Sequence, residues 1–361
     1  MKQALLGLLG CPACRGPLSL TAQEERHGEI WQGELACQPC NHRYPIRQGM
    51  PHLFLETAAW APKAQEAQGW VTIHQDLGIY EQVEDAVDLK IPYYPEAPWI
   101  GVARSFDMAL DFLQLTGRET ILDLGAGRGW AAKEFALRGC RVVALDVVPD
   151  ENVGLGRGHA IMRHHNTYFD RVIGDGENLP FRPGSFDLVF CAATLHHTSH
   201  LNVMIGNIDE VLAPAGRLCA MNEPCISILE DEQTVLARDA AHELSVGINE
   251  RRPNIVGYYQ ALQTHGFQII QAIPAHAYQM EEQTLREWAY DLGALRGSLR
   301  WQQLPRSFWR YYNYGKNRLR AARRGVLAHS EIPAIEPERQ RLAYAVLLWT
   351  TGELFLLAQK A

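Results

Sequence analysis

The sequence predicts an α/β fold with a mostly parallel sheet, preceded by a small metal-stabilised module. Three observations predict it. Two Cys-x-x-Cys knuckles, Cys11–Cys14 and Cys37–Cys40, open the chain. A glycine loop at residues 125–129 joins an apolar strand pattern to a helical one. Further short apolar segments, two of them ending in an acid, recur up to residue 225, and another closes the chain. At 361 residues, 47% apolar and 21% charged, the chain is long enough for one large domain plus a module. Its net charge of −7 argues against gripping nucleic acid with the whole surface, though not against a local basic patch.

The knuckles come first. Cys11, Cys14, Cys37 and Cys40 fit a tetrahedral four-thiolate zinc site. Two tight turns converge their thiolates on one ion, and a full sphere leaves no place for water, so the metal is structural. It would stabilise a module of residues 1–55 that is too small to hold together by burial alone. His42 is a spare ligand that the second knuckle makes unnecessary. Cys140, Cys191, Cys219 and Cys225 lie in apolar surroundings and read as buried thiols rather than disulfide partners. Lys2, the apolar stretch Ala4–Gly10 and Cys11 have the outline of a lipoprotein signal, but the stretch is minimal and Cys11 belongs to the knuckle. No apolar run approaches the ~18 residues of a spanning helix, so a cytoplasmic protein is expected.

The stretch LLGCPACRGPLSL…LACQPCNHRYPIRQGMPHLF resembles the small zinc-ribbon family that activates tRNA and protein methyltransferases as a separate subunit. Members dock through an exposed apolar edge. The resemblance implies that here the module braces a partner in the same chain.

Residues 56–104 read as a linker or cap segment. Pro62, Pro92, Pro95 and Pro98 punctuate it, and it carries an acidic run, Glu81, Glu84, Asp85 and Asp88. The run is either a solvated helix face or part of a cap over a site, paired with basic residues elsewhere. From Arg104, Phe106, Ala109, Leu110 and Leu113 recur at helical spacing.

The strand Thr120–Asp123, the loop Gly125, Gly127 and Gly129, a helix over 130–138 and the strand Arg141–Asp146 make a Rossmann-like βαβ unit. A dinucleotide site wants a third glycine where Trp130 stands, and Asp123 would repel a pyrophosphate. S-adenosylmethionine has no phosphate and carries an ammonium and a sulfonium, so Asp123 becomes useful. Asp146 can accept both ribose hydroxyls, and Asp175 the adenine amino group beside the Gly176 amide. The expected cofactor set is Asp123, Gly125, Ala126, Gly127, Asp146, Val147, Asp175, Gly176 and Cys191. Further strands are expected at 171–175, 185–190 and after the turn at 211–216.

The stretches DLGAGRG, GDGENLPF, SFDLVFCAATLHH, VLAPAGRL and the closing GELFLLAQK resemble the class I S-adenosylmethionine-dependent methyltransferases, nearest the quinone-biosynthesis subgroup. The resemblance implies a mostly parallel seven-stranded Rossmann-like sheet over 105–361, with a helical insertion at about 275–344 before the last strand. Ala215 departs from it, standing where the family more often has glycine. The departure is expected to matter little because Gly216 supplies the turn.

Methyl transfer is an in-line displacement, and alignment in a dry pocket is the enzyme's main contribution. His196 and His197, with His200 nearby, follow the fourth core strand and are the candidate bases; they serve equally as loop-packing residues. Asn222 and Glu223 are expected to line the acceptor pocket. Cys191 and Cys225 could hold arsenite, but read better as small buried residues. From Arg296 to Arg324 there are nine Lys or Arg and no acids, interleaved with Trp301, Phe308, Trp309, Tyr311, Tyr312 and Tyr314. Such a stretch stacks nucleic-acid bases, lies on an anionic membrane, caps an anionic small molecule, or packs its aromatics inward. Pro305 and Gly315 are expected to break it. The function expected is methyl transfer to oxygen or nitrogen of a small-molecule or lipid- or glycan-linked acceptor. An RNA methyltransferase and an inactive activator scaffold are the alternatives.

Overall fold

The structure, a computed structural model, describes residues 1–54, 60–80, 85–296 and 304–361. Glu81, Glu84 and Trp301, singled out in the sequence, lie outside the described residues. The chain opens with an antiparallel meander: β1 (Leu18–Arg26), β2 (Glu29–Cys37), β3 (Arg43–Arg47) and β4 (Met50–Leu53). Gly33, Leu35 and Cys37 point inward at the period of two that a one-sided sheet requires.

Helices α1 (Ala61–Asp76), α2 (Asp85–Asp88) and α3 (Trp99–Leu113) follow. α3 buries Phe106, Ala109 and Leu113, the spacing the sequence gives, and begins before the expected Arg104. Then come β5 (Thr120–Leu124), α4 (Trp130–Leu137), β6 (Arg141–Asp146), α5 (Gly158–His165), β7 (Asp170–Gly174), β8 (Phe186–Ala192), α6 (Leu201–Val211) and β9 (Leu212–Cys225). α7 (Glu232–Asp239), α8 (Ala241–Ser245) and α9 (Ile255–Thr264) precede β10 (Gln268–Pro274). Between β10 and the closing β11 (Gly352–Gln359) run α10 (Glu282–Asp291), α11 (Leu304–Arg323) and α12 (Glu338–Trp349).

The sheet order is β1-β2-β3-β4-β7-β6-β5-β8-β9-β11-β10. The seven expected strands are the run from β7 to β10. Those from β7 to β9 are parallel, and β11 is antiparallel to both neighbours. The parallel strands read as unbroken apolar runs, as in Val142–Leu145, because helices cover both faces. Among the described residues these seven stand within a sheet of eleven. β4 pairs in parallel with β7, His52 opposite Ile173 and Leu53 opposite Gly174, so the N-terminal strands continue the sheet.

More bonds fix that junction. Gly10 N–H donates to Pro180 O (3.0 Å) and Arg182 N–H to Leu8 O (2.8 Å). The Arg15 guanidinium donates to Leu179 O, and the Asn178 amide to Pro12 O (3.2 Å). The first cysteine knuckle is thus tied to residues 178–182.

Two turn expectations fail. α11 runs through Gly315, and Pro305 sits in its first turn, where a missing N–H costs nothing. Ala215 itself takes the left-handed conformation, φ 59°, instead of leaving the turn to Gly216. A Cβ on Gly216 would stand 2.8 Å from Ala213 O, so that glycine serves close approach.

Candidate functional site

Neighbouring strand connections diverge on either side of β5, and this opens a crevice at the carboxyl ends of β5, β6 and β8. A cavity of about 500 Å³ occupies it. Of the residues the sequence nominates for a cofactor, Gly125, Ala126, Gly127, Asp146, Val147, Asp175 and Gly176 line the cavity.

The loop after β5 is held to β6: Gly125 and Ala126 N–H both donate to Leu145 O (2.9 and 3.1 Å). Gly125, at φ 69°, must be glycine, since a Cβ there would stand 2.3 Å from the Thr194 methyl. Gly127, at φ 53°, faces open space, so any side chain would enter the cavity.

Three carboxyl groups gather here. Asp146 accepts from Gly127 N–H (2.7 Å) and Val148 N–H (2.9 Å), one on each oxygen, and each oxygen keeps lone-pair capacity. Asp175 accepts from Glu177 N–H (2.9 Å). Burial raises the pKa of both. Asp123 is buried behind the loop and accepts from Ala132 N–H (2.8 Å), bracing the start of α4 rather than lining the cavity. Burial, with Asp146 adding, pushes it up to about 7. Cys191 is fully buried and not in the lining, because its side chain faces the core; Ala192, Ala193 and Thr194 line the cavity instead.

The histidines divide. Glu223, expected in the acceptor pocket, is wholly buried and accepts from the N–H groups of Thr194 (2.8 Å), Leu195 (2.9 Å) and His196 (3.3 Å) and from His196 Nδ1 (2.9 Å). It organises the loop after β8. His196 is buried behind the cavity wall. His197 lines the cavity, donates from Nδ1 to Asn249 O (2.8 Å) and keeps Nε2 free to accept. Burial, with His196 adding, drives its pKa down to about 3, so it is neutral and a weak base. Asn222 turns away to Glu353 (2.7 Å), and His200 is exposed ahead of α6. His196, His197 and Glu250 place ligand atoms within 4.8 Å of one another, but Arg252 already pairs with Glu250 and Asn249 holds His197.

The opposite wall comes from the segment that reads in the sequence as a linker or cap. α1 contributes Lys63, Glu66, Trp70 and His74. Lys63 Nζ reaches Glu66 (3.0 Å), Glu177 (3.5 Å) and the His197 carbonyl (3.3 Å). Burial opposes the Lys63 charge, but Glu66, Asp175 and Glu177 outweigh it and its pKa is raised. Burial holds Glu66 up at about 7 even beside Lys63. Asp88, from the acidic run, pairs with Arg128 (2.6 Å) and Arg157 (3.0 Å), pinning the cap to the glycine loop.

At the far end, Cys11, Cys14, Cys37 and Cys40 converge, with Sγ atoms 3.4 to 3.6 Å apart in three pairs. That is close to the ~3.8 Å edge of a tetrahedron built on zinc–sulfur bonds of about 2.3 Å, so the donor set fits zinc. His42 Nδ1 lies 3.2 Å from Cys40 Sγ, beside the four.

Residues 122–220 match the methyltransferase domain family and residues 2–49 the Trm112p-like protein family. The chain is 32% identical over 109 residues to the biotin biosynthesis bifunctional protein BioHC of Cellvibrio japonicus, 30% of this chain and 20% of that one. It is 29% identical over 174 residues to the mitochondrial 2-methoxy-6-polyprenyl-1,4-benzoquinol methylase of Rattus norvegicus, 43% of this chain and 53% of that one. The match therefore spans about half or less of these relatives' length. Among solved structures, geranyl diphosphate C-methyltransferase from Streptomyces coelicolor A3(2) aligns with TM-score 0.49 at 12% identity, covering 84% of this chain and 100% of that one.

Proposed function

We propose that this chain, in which a Trm112p-like domain precedes a methyltransferase domain, transfers methyl from S-adenosylmethionine to oxygen or nitrogen of a small-molecule or lipid- or glycan-linked acceptor. The observation that carries the reading is the cavity wall at the carboxyl edge. Gly127 leaves room there, and Asp146, Asp175 and Glu66 present acids that would repel a dinucleotide's phosphates and suit a cationic ligand. S-adenosylmethionine, when bound, would supply an electrophilic methyl on a sulfonium.

The residues divide the work. Asp146 would take the ribose hydroxyls, while Asp175 and the Gly176 amide would meet the adenine. Asp123 holds the loop and offsets positive charge. Lys63 and Trp70 close the cavity from α1 and exclude water. His197 Nε2 can accept a hydrogen bond from the acceptor and so orient it. Glu66, poised near neutrality, is better matched than His197 to take the proton an oxygen or nitrogen acceptor releases. Cys11, Cys14, Cys37 and Cys40 would hold a structural zinc ion.

The test is calorimetric binding of S-adenosylmethionine to the wild type and to Asp146→Ala, followed by label transfer into fractionated extract. Losing two charge-assisted hydrogen bonds should weaken binding by at least about tenfold. Unchanged affinity sinks the assignment. Label in solvent-extractable or small-molecule fractions supports the proposed acceptor class. Label in a ribonuclease-sensitive fraction favours the second reading, an RNA acceptor, to which the zinc-ribbon resemblance and the basic stretch after residue 296 point.

A further inference from the structure

α11 is built inside out. Its inward face carries Ser307, Arg310, Asn317, Arg318 and the small Ala321. Polar contacts hold this face: Arg306 and Arg310 pair with Glu287 and Asp291 of α10. Asn313 and Asn317 donate to the carbonyls of Asp291 and Leu292 (3.0 and 2.8 Å), and Arg318 lies 4.8 Å from the Trp349 ring centroid. Contact with α10 is close. A Cβ on Gly293 would stand 2.4 Å from the Asn313 carbonyl carbon. The rotation of α11 about its axis is therefore fixed.

The large apolar side chains face outward. Phe308 is 60% exposed, Trp309 59%, Tyr312 49% and Leu319 55%. Trp309 and Tyr312 meet edge to face at 5.5 Å, so the aromatic rings form a continuous patch over the first turns. Further along the same face stand Lys316, Arg320 and Arg323, which have no partner among the described residues. No Asp or Glu occurs between Asp291 and Glu331. The helix is 20 residues long, about 30 Å.

We propose that the outward face of α11 lies on an anionic phospholipid surface, with Phe308, Trp309, Tyr312 and Leu319 in the headgroup–acyl boundary and Lys316, Arg320 and Arg323 on the lipid phosphates. Aromatic side chains favour that boundary, and basic residues beside it are drawn to negative headgroups. A ribonucleic acid is the weaker fit. The face is a convex helix rather than a groove, and Leu319 offers no ring to stack on. The inference is independent of the methyl-transfer reading.

The full chain is mixed with phosphatidylcholine vesicles, pure or with about one-third phosphatidylglycerol, and partitioning is read by flotation and tryptophan emission. Binding to the anionic vesicles should exceed binding to neutral ones by more than about tenfold, with a blue shift in emission. Reversing the charge of Lys316, Arg320 and Arg323 should cost at least about fivefold per residue. Phe308→Ser with Trp309→Ser should abolish the partitioning while leaving the melting temperature unchanged, since both side chains are exposed. Equal binding by the wild type and the Ser pair overturns the proposal, as does failure to bind anionic vesicles. RNA retention without vesicle binding, or a dimer that the Ser pair dissolves, reassigns the face and overturns it as well.

Discussion

A carboxyl group buried beside other carboxyl groups resists ionisation, and two are affected here: Glu66 in the cavity wall and Asp123 behind the glycine loop, both pushed up to about 7. Their folded-state values lie above their unfolded ones, so they favour the fold at acid pH, and that contribution is lost as pH rises through about 7. A cationic ligand reverses the preference by favouring the carboxylates. Binding of S-adenosylmethionine should therefore release protons, and affinity should rise from pH 5 to about 7 and then level off. Calorimetry in two buffers of different ionisation enthalpy reads the proton count directly; zero protons at pH 6 would remove these acids from the ligand's surroundings. The glycine loop and the three strand-end acids were legible in the sequence because their spacing follows from the βαβ unit. Glu66 was not, because nothing local marks a helical glutamate as buried. Glu223 was misplaced for a related reason: a strand-end acid reads the same whether it faces a ligand or collects four N–H groups from the next loop.

At the scale of elements, legibility follows amphipathicity. α3 was readable because one of its faces is apolar and buried. α1 buries Lys63, Glu66, Gly69 and Ile73, a mixed face, because part of what it covers is a polar cavity and part the backbone at Val246. No hydrophobic period marks such a helix, so the sequence places residues 61–76 in a linker or cap without showing a helix there. The basic stretch after residue 296 misled in another way. Pro305 and Gly315 weaken a helix, but the bonds to α10 outweigh a propensity cost of about 1 kcal/mol for the glycine. The turn into β9 retains its strain. Ala215, at φ 59°, occupies a region that costs a non-glycine residue about 1–2 kcal/mol. Ala215→Gly should raise stability by about 0.5–1 kcal/mol after the entropy of the more flexible unfolded chain is counted. A denaturant midpoint that falls would show that the Ala215 methyl contributes more packing than strain.

For the whole molecule, the family resemblance implied a seven-stranded sheet, yet its continuation to eleven strands was not legible. Continuity rests on one short parallel pairing, β4 with β7, and a strand of four residues carries no register in its sequence. Four cysteines mark a metal module from spacing alone, but spacing is silent on what the module touches. It touches residues 178–182, the connection that leads away from Asp175 and Gly176. Cys37→Ser should accordingly reduce bound zinc below one per chain and lower the melting temperature. Full stability without metal would refute a structural role.

That junction makes the four-cysteine cluster and the proposed adenine wall two ends of one lever. Stripping a metal held by the cluster would loosen Leu8, Gly10 and Arg15, and with them the carbonyls and amides of Leu179, Pro180 and Arg182. Affinity for S-adenosylmethionine should then fall without any change in a residue that contacts it. Linkage is reciprocal, so saturating ligand should tighten zinc binding, read by equilibrium competition with a chelator, by the same free energy. A cell short of zinc would find this chain short of methyl donor, however much of the donor it held.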